Sequence, residues 1–397
     1  MATGDSFYIK ELNKSLILQK IIENEMISRA DISKITGLNK ATISVQVKQL
    51  LKEQLIHETQ INHNSIGRRP FMLSINRVAG YVLGIDLDYK HIQYVLSDLQ
   101  GNAVYSDMIE HNTDDYDTII QMLVEQIRKY ENKSSNSPYG LISIVIGIHG
   151  MVDKEENILF VPKYQWYQKN LKNDLKKIIN TQIYIENNAN LSAFAEKVYK
   201  YHNNNNLLTI ILTSGIGAGS VINSKIQKGY HGYAGEIGHM IICPEGKKCR
   251  CGNHGCWELY SSEPILFDQL RIELNKQNLT YQNIKTMIIK KDPTTYRYLE
   301  RFIKFLSLGL NNIINSTNPE TLVINSEILR LYPNSIQKIE GNLKSSISQY
   351  REIVLSNLGN KACVMGAYAL AIQRFLGVPE LVLHKQSMCE NDTNFEK

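Results

Sequence analysis

Three short stretches near the N-terminus carry apolar residues at helical spacing. In "LNKSLILQKIIEN" (12–24), Leu12, Leu16, Ile17 and Ile21 make one apolar face, which predicts a first helix. Ile32 and Ile35 mark a second. Gly37 permits a tight turn plugged by Leu38, and Asn39 is placed to cap a third helix carrying Ile43, Val47, Leu50 and Leu51. The order is that of a helix-turn-helix. "IHETQINHNSIGRRPFMLSIN" then reads as two short strands around a polar tip, a β-wing.

From about residue 79 the texture changes. "GYVLGIDLDYKHIQYVLSDLQGNAVYSDMIEH" contains three alternating apolar runs separated by turn signals, a β-meander. Helical periodicity over 114–131 and a buried-strand run at 141–148 follow. A similar order recurs later: "LLTIILTS", further strand-like runs to 228, a helix near 299–316, the strand "TLVIN", and a last helix near 361–375. This predicts two α/β lobes with a ligand cleft between them. Residues 1–78 are expected to form one domain and 79–383 a second, with 384–397 a polar tail.

A chain of 397 residues has room for these units. Its 43% apolar and 21% charged composition is ordinary for a soluble protein, and "GLISIVIGI", its longest apolar stretch, is too short to cross a bilayer. The N-terminus lacks a basic-then-apolar leader, so a cytoplasmic location without disulfides is expected. Net charge is +5, and residues 1–78 hold eleven Lys and Arg against seven Asp and Glu, so the basic excess belongs to the N-terminal module. Nucleic acid is therefore expected at that end alone. With Ile43, Val47 and Leu50 facing inward, Lys40, Thr42, Ser44, Val45 and Gln46 fall on or beside the outward face, where a recognition helix meets base edges. Arg68 and Arg69, at the wing tip, suit the negative potential of a narrow minor groove.

"GHMIICPEGKKCRCGNHGCWE" holds four of the six cysteines. Cys249, Cys251 and Cys256 with His239 supply three sulfurs and a nitrogen, fitting a closed structural Zn²⁺ site; His254 could replace His239 on spacing alone. Cys243 lies on an apolar run and reads as a buried thiol. A further polar cluster, "YIENNANLSAFAEK" (184–197), ends a strand-like run in Glu186, Asn187, Asn188 and Asn190 before a helix, the kind of turn where an open α/β sheet holds a ligand.

Two motifs carry a family resemblance. "LTSGIGAGSVINSKIQKGYHGYAGEIGHM" is similar to the glycine-rich signature of the ROK family of repressors and sugar kinases, and "CRCGNHGCWE" to its zinc motif. The N-terminal module ending in "GRRP" resembles its repressor branch. The resemblance implies a winged helix-turn-helix followed by an actin-like, two-lobed, sugar-kinase-like α/β domain with a zinc-bearing loop. It places sugar contacts on Asn187, Asn188, Glu236, His239 and Glu258. "IGIHGMVD" and "FVPKYQW", with His149 before Gly150, resemble the family's xylose-responsive members, so D-xylose is the expected ligand, with glucose the alternative.

The chain departs from the family's kinases at three places. Asn188 stands where they carry the carboxylate that accepts the sugar hydroxyl's proton, and an amide is no base at neutral pH. Asp88 and Tyr89 replace paired glycines after the first strand, obstructing a phosphate. Asn325 and Ser326 replace a second glycine pair. The expectation is a non-enzymatic, sugar-released repressor that binds operator DNA as a homodimer, or alternatively a tetramer. A sugar kinase with an added DNA-binding domain is the second reading, and a repressor answering to glucose, N-acetylglucosamine or a partner protein the third.

Overall fold

The structure is a computed structural model that describes residues 6–60 and 71–384. The wing tip with Arg68 and Arg69, and the tail beyond 384, lie outside the described residues.

The N-terminal unit runs α1 (Ser6–Asn24), β1 (Ile27–Ser28), α2 (Arg29–Thr36), α3 (Lys40–Lys52), β2 (Ile56–Gln60) and β3 (Phe71–Ile75), its strands antiparallel in the order β1-β3-β2. Capping fixes where the helices meet. The Ser28 side chain accepts the Asp31 N–H at 3.1 Å, Gly37 takes φ 72° to end α2, and Asn39 Oδ1 accepts the Thr42 N–H at 2.8 Å to begin α3. Ile17, Ile21, Ile32, Ile43, Val47, Leu50 and Leu73 close the core. α1 starts earlier than its apolar spacing predicts, and its first turns overrun that core, leaving Leu12 51% exposed.

The first lobe contains β4 (Tyr81–Leu87), β5 (His91–Ser97), β6 (Ala103–Glu110), α4 (Tyr116–Ser134) and β7 (Leu141–Ile148). A small antiparallel sheet of β8 (Met151–Val152), β9 (Ile158–Val161) and β10 (Trp166–Lys169) follows, then α5 (Leu171–Lys176) and β11 (Gln182–Asn187). The main sheet runs β11-β7-β4-β5-β6; the meander is antiparallel, while β4, β7 and β11 are parallel. α6 (Asn188–Tyr199) leads to the second lobe, where β12 (Asn206–Ile211), β13 (Gly217–Ile222) and β14 (Lys225–Ile226) open a similar sheet. Helices α7 (Glu258–Ser261), α8 (Glu263–Glu273), α9 (Tyr281–Ile289) and α10 (Pro293–Thr317) precede β15 (Thr321–Asn325). Then come α11 (Glu327–Leu331), α12 (Ser335–Asn342), β16 (Glu352–Leu355) and α13 (Ala362–Leu376). The second sheet runs β14-β13-β12-β15-β16 and repeats the pattern of antiparallel then parallel pairs.

α6 and α13 pack against each other so closely that a Cβ at Gly366 would lie 1.8 Å from the Leu191 carbonyl oxygen. Glycine is required there for the two helices to touch. Leu191, Phe194 and Val198 of α6 and Val364, Ala367 and Ile372 of α13 belong to the same apolar core as Ile17, Ile43 and Leu50 of the N-terminal unit. That shared core is reinforced at its edge: Ser15 Oγ donates to the Gly377 carbonyl at 2.6 Å, and Tyr139 donates to the Glu53 carbonyl at 2.9 Å.

Candidate sugar pocket and metal cluster

Parallel pairing of β11 with β7 sets Asn187 beside Ile148, so "ENN" and "IHG" emerge together at the carboxyl edge of the first sheet. Open α/β sheets place ligands at this edge. Asn187 Oδ1 caps α6 by accepting the Ala189 and Asn190 N–H groups at 2.8 and 3.2 Å, and its amide nitrogen donates to the Gly150 carbonyl at 2.9 Å. One amide hydrogen is left for a ligand. Asn187, Asn188, His149, Glu236, His239 and Glu258 all line one pocket between the lobes. Asp88, Lys163 and Arg250 line it too, and reasoning from the sequence does not place them there. Asp88 is legible only as an obstruction to phosphate, because its strand-end position does not disclose which cavity it faces.

His149 Nε2 lies 2.7 Å from Asp86 Oδ1, and its Nδ1 lies 3.9 Å from Asp88 Oδ1. Burial opposes its charge, yet the buried Asp86 carboxylate, its hydrogen bond and the nearby Asp88 outweigh that and push the imidazole up to about 9. Both ring nitrogens then carry hydrogens at neutral pH. The Asn188 amide nitrogen lies 3.4 Å from Nδ1, a contact at the limit of hydrogen bonding. As an amide, Asn188 has no capacity to remove a proton.

Across the pocket, His239 sits between two carboxylates. Its Nε2 is 3.9 Å from Glu236 Oε2, and its Nδ1 is 3.7 Å from Glu258 Oε1. Burial raises the Glu236 carboxyl, the attraction of His239 opposes that, and the like charge of Glu258 adds to it. His239 Nδ1 also lies 3.6 Å from Cys249 Sγ, and Cys251 and Cys256 sulfurs are 3.6 Å apart. The four donor atoms of His239, Cys249, Cys251 and Cys256 all lie within 4.8 Å of one another. A tetrahedron with metal–sulfur bonds of about 2.3 Å has edges of roughly 3.8 Å, so this set could hold a metal ion. Burial and the neighbouring thiols push the Cys256 thiol up to about 12. His254 stays exposed on the turn bridged to Lys248 and takes no part in the cluster; Cys243 is half-buried rather than enclosed.

Both replacements of the second glycine pair have structural tasks. Ser326 caps α11 and donates to Glu263 at 2.6 Å, while Asn325 donates to the Gly359 carbonyl at 2.9 Å. Gly219 is held by packing, since a Cβ there would lie 2.2 Å from the Ala189 carbonyl oxygen.

On α3, Lys40, Ser44 and Val45 are exposed and Thr42 partly so. Gln46 is not outward. It is 3% exposed and its amide reaches the Lys10 carbonyl at 3.3 Å, because helical periodicity aligns residue 46 with the inner stripe of Ile43, Val47 and Leu50. The outward stripe continues instead to Lys48.

Residues 82–374 match the ROK family, and the chain belongs to it. A xylose repressor of Bacillus subtilis (strain 168) is 36% identical, covering 95% of this chain and 99% of the relative. A glucokinase of Streptomyces coelicolor is 24% identical over 74% of this chain and 98% of its own length. Among solved structures, a ROK family transcriptional regulator, a homologue of the E. coli MLC protein, superposes with a TM-score of 0.79 at 26% identity, covering 93% of this chain and 96% of that one. The chain shares the mixed α/β ROK fold with that solved regulator. Among the described residues, no helix is long and apolar enough to cross a membrane.

Proposed function

We propose that the protein is a sugar-responsive transcriptional repressor. Residues 1–78 form a winged helix-turn-helix that reads operator DNA, residues 79–383 bind an aldose, and D-xylose is the favoured inducer. The observation that carries the reading is Asn188: it lines the pocket beside His149 and, as an amide, provides no base. Recognition of a sugar survives there without phosphoryl transfer. The near full-length likeness to xylose repressors supports the same view.

Binding is by direct hydrogen bonds from vicinal hydroxyls to amides and carboxylates. The cluster of His239, Cys249, Cys251 and Cys256 fits Zn²⁺, which when bound would supply structural cross-linking of the loop. With a metal on Nδ1, His239 would keep its Nε2–H on the side of Glu236 and the pocket, with a fixed tautomer and aim. A homodimer sets two α3 helices in successive major grooves, and sugar that favours the weaker DNA-binding arrangement releases them. Coupling of about 1–3 kcal/mol suffices for such control.

Anisotropy on an operator selected from random DNA, with and without D-xylose, tests the reading. Xylose alone is expected to lower operator affinity. A coupled assay for ADP over a panel of aldoses covers the kinase reading, and sugar-dependent ADP release above background would replace the repressor proposal with an enzyme. For the DNA face, Lys48→Ala and Arg69→Ala are each expected to weaken operator binding and to reduce the salt slope by about 0.9 for each phosphate no longer neutralised. Unchanged slopes in both would displace the proposed interface.

A further inference from the structure

The pocket adjoins a second cavity of the cleft. Asp88, His149, Lys163, Asn188, Ile211 and Ser214 line both, and so stand at the partition between the two. Its central pair is held in place from behind. The Asp88 carbonyl accepts from the Tyr164 hydroxyl at 2.7 Å, and the Tyr164 ring stacks on Trp166 with centroids 4.4 Å apart. Asp88 Oδ1 also accepts the Tyr89 N–H at 2.7 Å, which fixes the carboxylate, while Asp86 fixes His149. "FVPKYQW" therefore buttresses the partition as well as supplying Lys163 to it.

The gap of 3.9 Å between His149 Nδ1 and Asp88 Oδ1 is too long for a hydrogen bond between them. A hydroxyl oxygen about 2.8 Å from each fits between, accepting from the ring N–H and donating to the carboxylate. The charge that Asp86 imposes on His149 keeps that N–H in place at neutral pH.

We propose, resting on the sugar-binding reading above, that Asp88 is a specificity residue of the pocket. With His149 it grips a ring hydroxyl of an aldopentose and walls off the space that the hydroxymethyl group of an aldohexose would need. The residue that obstructs phosphate on one side of the partition thus selects the sugar on the other. One extra carbon group in a fitted pocket typically changes affinity by roughly 10- to 200-fold.

Calorimetry of the full-length protein with D-xylose and D-glucose tests this on wild type, Asp88→Gly and Asp88→Asn, with circular dichroism as the check on folding. Wild type is expected to bind xylose at least about 10-fold more tightly than glucose. Asp88→Gly, which removes the wall, is expected to narrow that ratio at least about tenfold, weakening xylose and strengthening glucose. Asp88→Asn keeps the volume, so glucose stays excluded while xylose weakens. Binding of both sugars with a ratio indifferent to either substitution would overturn this inference and leave the sugar-binding reading intact. Binding of neither sugar to wild type would overturn both. Should the glycine variant fail to fold, unchanged xylose affinity in Asp88→Asn would suffice to reject the proposal.

Discussion

Asp86→Ala is expected to lower folding stability by about 3–5 kcal/mol near pH 6, and by much less near pH 9.5. Asp86 is buried, accepts from His149, and lies beside the Cys363 thiol, whose ionisation burial and Asp86 both suppress. Removing it strands a buried imidazolium. In the wild type the His149 pKa rises from 6.5 to about 9, so its contribution is fully present below pH 6.5 and disappears as pH climbs through about 9. The shift corresponds to about 3 kcal/mol. In the variant burial is opposed only by the more distant Asp88 and the folded-state pKa falls, so the penalty is greatest where the wild-type imidazole is charged. Urea unfolding of both proteins at the two pH values measures it. An equal difference at both would mean that the pair is not ionic.

Cys251→Ser is expected to strip the loop of metal, lower thermal stability by many degrees, and weaken sugar binding roughly 10- to 100-fold. The two effects are linked because His239 faces the sulfurs with Nδ1 and the pocket with Nε2. Losing the metal frees the ring to rotate. Elemental analysis of the purified wild type should give one zinc per chain, and its absence would refute the site directly. Retention of zinc by Cys251→Ser together with normal sugar affinity would assign the loop another ligand set.

Much of the fold is legible in the chain because local signals are strong. Gly37 and Asn39 announce the turn and the cap that orient α3, alternation announces the β4–β6 meander, and the uniform apolar run at 141–148 announces β7. Other elements depend on distant partners. The short strands β8 to β10 and the short helices α7 and α11 carry too few residues to show a period and are held by packing rather than propensity. For the site, chain spacing cannot separate His239 from His254, since both lie within reach of the cysteines; the fold separates them by leaving His254 on an exposed turn. Gln46 misleads for the opposite reason. Its polarity points outward although its phase on the helix points inward, where its NH₂ group donates to the Lys10 carbonyl while its Oε1 is buried without a partner. Asp88 stands out in the sequence, but only for the cavity it blocks.

α6 begins at Asn188, in the sugar pocket, and its side chains share one packed core with α1 and α3. The proposed coupling between ligand and DNA would therefore run through packed side chains rather than a slack tether. In the proposed repressor a displacement at the helix start would be passed through this packed core, and two such units on DNA would have to keep their α3 helices about 34 Å apart for both to stay in successive grooves.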